Sequence, residues 1–315
     1  MNEAGLRIVQ ITPLCQLQDL GRLGFQSHGV TRSGAADPFN FKVANVLLGN
    51  PVNTPCLEFA LIGGEFEVLA DRLKIAFAGH FELFINDTAI DSFCTHSLQR
   101  GDHLRIGAPI SGVRGYLSVL DGFECTPELN SCATHLRSGL GGFTSGMAVG
   151  SLLPTRQSWV AKTRDYAIRK SLQRPSRSSI RLVAGPQQAH FTERGLADFY
   201  AAEFSVQADS DRMGIRLQGK TIEHAGDGNI ISDPVLPGSV QIPASGDPII
   251  LMVDGPTTGG YPKIGTVASV DIGVLGQLGA GETIRFEDIS VADAQQLARE
   301  EHAFFTSLAQ RLDCY

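Results

Sequence analysis

At 315 residues and 43% apolar content, the chain is long enough for about two globular domains with substantial cores. Its formal net charge of −7 argues against a nucleic-acid binder or a partner for anionic membranes, because neutralising phosphates takes clustered cations. Thirty-five glycines and 15 prolines predict many turns and short strands, hence a mainly β architecture.

The opening "MNEAGLRIVQ" lacks a basic segment followed by an apolar one, so no secretory signal is expected there. The apolar runs, such as "PIILMV", fall well short of the roughly 20 residues of a membrane span. None of the six cysteines forms a C-x-x-C pair, so they are expected as reduced thiols, mostly buried, in a cytoplasmic protein.

In chain order, "LRIVQI" has the β-branched content of a strand, and the turn-rich "QDLGRLGFQSHGVTRSGAAD" comes after it. A helix is predicted next. Asp37 can cap it, Pro38 fits its first position, Phe39, Val43, Val46 and Leu47 share a face, and Gly49-Asn50-Pro51 ends it. From Leu57 to about Pro154 the text reads as separate strands and glycine turns: "EFEVL", "KIAFAG", "FELFIND", "HLRIG" and "GYLSVLDG". "GLGGFTSG" at 139–146 reads as a surface loop. The basic, Ser-rich 164–181 stretch reads as a solvated linker, which sets expected domains of 1–165 and 166–315.

The second half opens with "SIRLVAGP" and a helix near Phe191–Phe199. The strands "EFSV", "GIRLQG", "SVQIP", "PIILMVDG", "GTVASVDI" and "TIRFED" come next. A last helix, 291–312, carries an apolar stripe of Ala294, Leu297, Ala298, Phe304, Phe305 and Leu308, and packing is its expected role. Both halves share a layout of strand, helix and many strands, pointing to two related barrel-like domains.

Residues 214–221, "GIRLQGKT", spell the P-loop pattern G-x-x-x-x-G-K-T. A working P-loop comes after a buried strand and opens a helix whose N–H groups face phosphate. Here polar "QADSDRM" precedes, "IRLQ" alternates with strand periodicity, and "TIEHAGDGN" breaks at glycines. The stretch is therefore expected to be a strand, with Lys220 in a turn.

Candidate site residues concentrate in "QDLGRLGFQSHGVTRSGAAD" and "DGPTTGGYPKIG". In the second, Gly259 and Gly260 allow close backbone approach, while Thr257, Thr258, Asp254, Tyr261 and Lys263 supply polar groups. Two readings stay open: a nest of N–H groups for an anion or developing oxyanion, or a plain hairpin turn. "DRMG" offers Asp211 and Arg212, either as a carboxylate clamp or as an internal contact that fixes a turn. His28 can carry a proton near neutral pH. No G-x-S-x-G elbow is present, and the eight histidines lack metal-ligand spacing. His28, Ser33 and Asp37 are near in sequence, which does not make a triad.

At these same stretches the chain resembles a known family. "QDLGRLGFQSHGVTRSGAAD", "NVLLGNP", "LEFALIGGEFEV", "RGYLSVLDG", "SDRMGIRLQG", "PGSVQIPASGDPIILMVDGPTTGGYPKIG" and "QLGAGETIRF" are similar to the C subunit of the bacterial ATP-dependent 5-oxoprolinase. The family takes in KipA-type proteins and the carboxyltransferase half of urea carboxylase. The resemblance runs from about residue 8 to 310, with 211–219 and 254–265 its most specific blocks. It implies two cyclophilin-like β-barrel domains and the opening of 5-oxoproline to glutamate.

On that resemblance Arg212 or Lys263 would hold the ring carboxylate, with Asp211 and Tyr261 beside them. The 258–260 turn would surround the oxyanion, and Asp254, Asp37 or His28 would move a proton. ATP would be handled with partner subunits A and B. The alternatives are a carboxyltransferase that receives carboxybiotin from another protein, since no A-M-K-M segment is present, and a regulator pairing with a KipI-like protein. The chain departs from the family at Ala35-Ala36, at Ala78-Gly79-His80, at Leu120-Asp121-Gly122-Phe123-Glu124 and at "GMAVGSLL" near 146–153. Loops of this kind that line the pocket would alter the substrate.

Overall fold

The computed structural model describes residues 4–143, 147–156, 165–174 and 177–314. The chain divides into two compact units. The first comprises Met1–Arg22, Asp37–Arg174 and Phe304–Tyr315, and the second Leu23–Ala36 and Pro175–Ala303. Where the linear reading places one boundary at 165/166, two short segments thus belong with the other half.

The first unit is built on a curled nine-stranded sheet. Across it run Gln16–Gln18, Cys56–Ala60, His103–Val119, Gly64–Val68, Gly5–Gln10 and Leu152–Pro154. Arg72–Ile85 pairs with His103–Val119 and also with Thr88–Ile90 and Thr95–Gln99. The expected pairs "KIAFAG"/"FELFIND" and "HLRIG"/"GYLSVLDG" are each one long strand, of 14 and 17 residues. Glycines and register shifts at Ala78/His80, His80/Phe81 and Phe81/Leu83 bend these strands without ending them. At Gly79 (φ 140°) a Cβ would lie 2.6 Å from Gly115 Cα, so only glycine permits this approach. Leu6, Phe59, Phe66, Phe77, Leu117 and Val119 fill the core.

Helix Pro38–Leu47 forms as predicted, with Asp37 accepting from Phe39 N at 3.1 Å and Asn40 N at 3.3 Å. It packs on the two long strands, where Asn45 Oδ1 accepts from Ser118 Oγ at 2.8 Å and Phe41 meets Tyr116 edge-on.

The second unit is a closed seven-stranded barrel, in the order Ser179–Ala184, Lys263–Val267, Ser239–Gln241, Ile249–Leu251, Gly214–Gln218, Phe204–Val206 and Thr283–Asp288. Parallel pairing of its first and last members closes it. Phe199 of helix Glu193–Ala201 stacks on Phe286 at 4.5 Å, beside Phe204, Val240 and Ile250. The architecture is mainly β, with four α-helices among the described residues.

Three expectations are corrected. "GTVASVDI" is a strand only to Val267, after which Ile272–Gly276 is helical; the β-branched content concealed the turn. The 164–181 stretch carries structure: Tyr166–Ala167 pairs with Asp313–Cys314, and residues 164, 175 and 176 lie outside the described residues. Cys125 and Cys132 form a disulfide, because the Glu128–Ser131 turn folds their loop back on itself. Of the other thiols, Cys15 and Cys56 are buried, Cys94 is half-buried and Cys314 is exposed. Of the 139–146 loop, residues 144–146 lie outside the described residues. Among the described residues no helix is long and apolar enough to cross a membrane.

Candidate functional site

"GIRLQG" is a barrel strand, as its alternation predicts, and Lys220 beyond it reaches Asp198 at 3.8 Å. The pairing of Gly214 with Leu251 brings the residues just before the first strand against those just after the second. Arg212 O accepts from Asp254 N at 2.9 Å, and the side chains meet as well. Arg212 Nε and Nη2 donate to the two oxygens of Asp254 at 2.8 and 3.0 Å. Nη2 also donates to Gly34 O at 2.7 Å. Both partners are largely buried, so this bidentate pair works in a medium where charge-assisted bonds are strong.

Segment 31–34 is tied to the same carboxylate. Ser33 Oγ donates to Asp254 Oδ1 at 2.8 Å and Ser33 N to Val253 O at 2.9 Å. Thr31 Oγ1 donates to Gly255 O at 3.2 Å. Ser33 holds φ at 56°, a left-handed conformation uncommon for serine that these bonds over-determine.

A second ion pair lies at the other end of these short strands, where Lys263 pairs with Gln241. Buried Lys263 Nζ donates to Asp233 Oδ2 and, at 2.8 Å, to Pro234 O. Gln187 Nε2 adds a bond to Asp233 Oδ2 at 3.1 Å. The hydrogen bond from Lys263 holds the Asp233 carboxyl below the usual carboxylate range, and Gln187 adds to this.

The Thr-Thr-Gly-Gly-Tyr segment runs beside it. Thr258–Gly259 pairs antiparallel with Asp233–Pro234, Thr257 O accepts from Val235 N, and Gly260 O accepts from Ile230 N. Tyr261 is exposed, and its carbonyl accepts from Gln241 Nε2 at 3.3 Å. A Cβ on Gly259 would lie 2.3 Å from that Nε2, so the ribbon passes directly over Gln241.

The remaining candidates separate. Asp211 Oδ1 accepts from Met213 N and Gly214 N, making the turn that delivers Arg212 to its strand. His28 ends a short 3-10 helix, exposed, with Nδ1 3.3 Å from Ser27 Oγ. Asp37 belongs to the first unit and is fully buried as the helix cap, with Oδ2 also accepting from Asn40 Nδ2. Ser33 faces Asp254, while His28 faces Ser27. Asp233, Gln187 and Gln241 were missed. "SDPVLPG" gave no hint of a cation beside it, because Lys263 is 30 residues away and reaches it only by folding.

A family model described as carboxyltransferase domain, subdomain A and B, matches residues 28–288. The 5-oxoprolinase C subunit of Haemophilus influenzae is 33% identical over 307 residues, covering 97% of this chain and 98% of that protein. The protein of the same description from Escherichia coli is 32% identical, covering 98% of each. Among solved structures, Kluyveromyces lactis urea amidolyase superposes with a TM-score of 0.90 at 27% identity, over 96% of this chain. The chain spans only 20% of that protein's length. K. lactis urea carboxylase gives a TM-score of 0.89 at 26% identity, with 29% of its length covered. With most of its length matched by one model and two relatives above 30% identity, the chain belongs to the carboxyltransferase domain family, subdomains A and B.

Proposed function

We propose that the chain is the C subunit of a heteromeric, ATP-dependent 5-oxoprolinase, opening 5-oxoproline to glutamate with partner subunits A and B in the cytoplasm. The observation that carries this reading is identity: the two bacterial relatives described as the C subunit of 5-oxoprolinase are 33% and 32% identical over nearly the whole chain, against 26% for a urea amidolyase relative.

The lactam amide is a poor electrophile. Phosphorylating its oxygen from ATP makes the ring carbon attackable by water. The C–N bond then breaks, the amine takes up a proton and the carbon is left as an acyl phosphate, from which a second water releases phosphate and glutamate. The P-loop letters of this chain begin on a barrel strand, Gly214–Gln218, and ATP handling is assigned to the complex with its partners.

Binding the ring carboxylate requires a cation whose own acidic partner can yield. Asp233 is 42% exposed at its side chain, whereas Asp254 is 10% exposed and bonded from three donors. Lys263 is therefore assigned to the substrate carboxylate, with Thr257, Thr258 and Tyr261 on the ribbon beside it. Arg212 and Asp254 are positioning residues that hold segment 31–34. Exposed His28 is assigned as proton carrier, and Asp37 serves as a helix cap within the first unit.

Co-purification with subunits A and B tests the reading through ATP-dependent glutamate release from 5-oxoproline. Activity requiring every component is expected. Lys263→Met is expected to raise KM more than it lowers kcat. A complete complex without turnover would overturn the proposal. The family description and the urea carboxylase likeness favour one second reading, carboxyl transfer from biotin carried by a partner. Carboxybiotin turnover in the same preparation would select it, and stable pairing with a KipI-like protein without either turnover would select a regulator.

A further inference from the structure

We infer that the first unit carries a binding cavity for a small uncharged molecule with an apolar body and one hydrogen-bond acceptor. The cavity measures about 640 Å³, within the roughly 300–1,000 Å³ of ligand pockets. Its lining belongs wholly to the first unit and includes none of the residues assigned above.

The wall is mostly apolar: Ile11, Leu136, Leu140, Phe143, Met147 and Val149. Leu136 and Val149 are 64% and 69% exposed, apolar side chains left in water at the rim. An apolar ligand body would remove both from solvent.

Several polar residues line this wall: Thr12, whose buried Oγ1 has no partner among the described residues, Thr134, His135, Glu128 and Gln16. Gln16 is only 8% exposed yet lines the cavity. Its Oε1 accepts from Gln18 Nε2 at 2.9 Å, and Gln18 is itself fully buried and anchored to Thr134 O at 3.0 Å. That chain fixes which way the Gln16 amide points. Its Nε2 donates to no protein group among the described residues. An acceptor on the ligand would give that N–H a partner in place of water.

Charge defines the class of ligand. Among the described residues of the wall Glu128 is the one carboxylate, and none is Lys or Arg. The glycine-rich stretch does not supply a nest for anions, because its N–H groups are used. Gly139 N donates to Leu136 O, Gly141 N to Glu128 Oε2 at 2.6 Å, and Gly142 N to Cys132 O. A carboxylate or phosphate would therefore meet the Glu128 charge with no Lys or Arg among the described lining residues to offset it, so the cavity suits neither 5-oxoproline nor a nucleotide.

The test uses two fluorescent probes on the full chain: 6-propionyl-2-(dimethylamino)naphthalene, uncharged with one carbonyl, and 1-anilinonaphthalene-8-sulfonate, an anion. The uncharged probe is expected to bind at least about tenfold more tightly, the size of one unfavourable charge contact. Val149→Trp and Leu136→Trp, at exposed rim positions that tolerate bulk, should each abolish that binding with the far-UV spectrum unchanged. Gln16→Leu should weaken it about fivefold to tenfold and shift bound emission to the blue, as the carbonyl loses its donor. Glu128→Gln should bring the sulfonate closer to the uncharged probe. Absence of binding by the uncharged probe, indifference to both rim variants, or tighter binding of the sulfonate would each overturn the inference.

Discussion

Ser33 and Arg212 converge on one oxygen of Asp254, Ser33 Oγ at 2.8 Å and Arg212 Nη2 at 3.0 Å. They lie 179 positions apart, 33 against 212, so the carboxylate ties a sequence-distant loop to the barrel. Removing Arg212 leaves a mostly buried anion without its partner. Arg212→Ala is expected to cost about 3 kcal/mol, the low end for a broken buried pair since both side chains keep some exposure. Ser33→Ala should cost about 1 kcal/mol. Arg212→Lys should fall between, because it keeps the charge and loses the fork. Urea denaturation measures all three. An Arg212→Ala protein of unchanged stability but raised KM would return Arg212 to the role of substrate clamp.

Lys263 makes a prediction in pH. Its hydrogen bond lowers the Asp233 pKa, so the pair's contribution is present above the ordinary carboxylate value of about 3.9 and is lost as pH falls through the lowered one. Lys263→Met should return the Asp233 titration toward the ordinary value by NMR. It should also flatten the loss of thermal stability below about pH 4. An Asp233 titration that stays put would show that Lys263 is not its cause.

The ribbon over Gln241 can be tested by crowding. Gly259→Ala places a methyl against a side chain that is 5% exposed and has little room to swing, and should cost about 1–3 kcal/mol. In a Gln241→Ala background the same change should cost far less, a non-additivity diagnostic of contact. Additive penalties would place the strain elsewhere.

The cysteines make a countable prediction. The unfolded chain should show four thiols without reductant and six with it. In the folded protein Cys314 should react first and Cys94 next. Burial pushes the Cys56 thiol up to about 12 and raises Cys15 as well, Glu58 adding to the latter, so both stay protonated and slow at pH 8. Six thiols in the absence of reductant would remove the disulfide.

Much of this was legible in the linear text, for local reasons. Asp37-Pro38 marks a helix start because the carboxylate and the missing N–H both suit a first turn, and the helix begins there. Alternation in "IRLQ" reads as a strand despite the P-loop letters, because the barrel buries one face of it. The glycines within the long strands read locally as turns, whereas Gly79 bends one strand around Gly115 without ending it.

Composition and local periodicity alone point to a mainly β chain in which "GIRLQG" is a strand, since those properties depend on neighbours within a few residues. Partners were decided only by folding. That Arg212 faces Asp254, that Lys263 faces Asp233, and that Cys125 bonds Cys132 all depend on which strand ends and loops meet. A side chain's charge is written in its residue type, but what neutralises it is set by tertiary packing across tens to hundreds of residues.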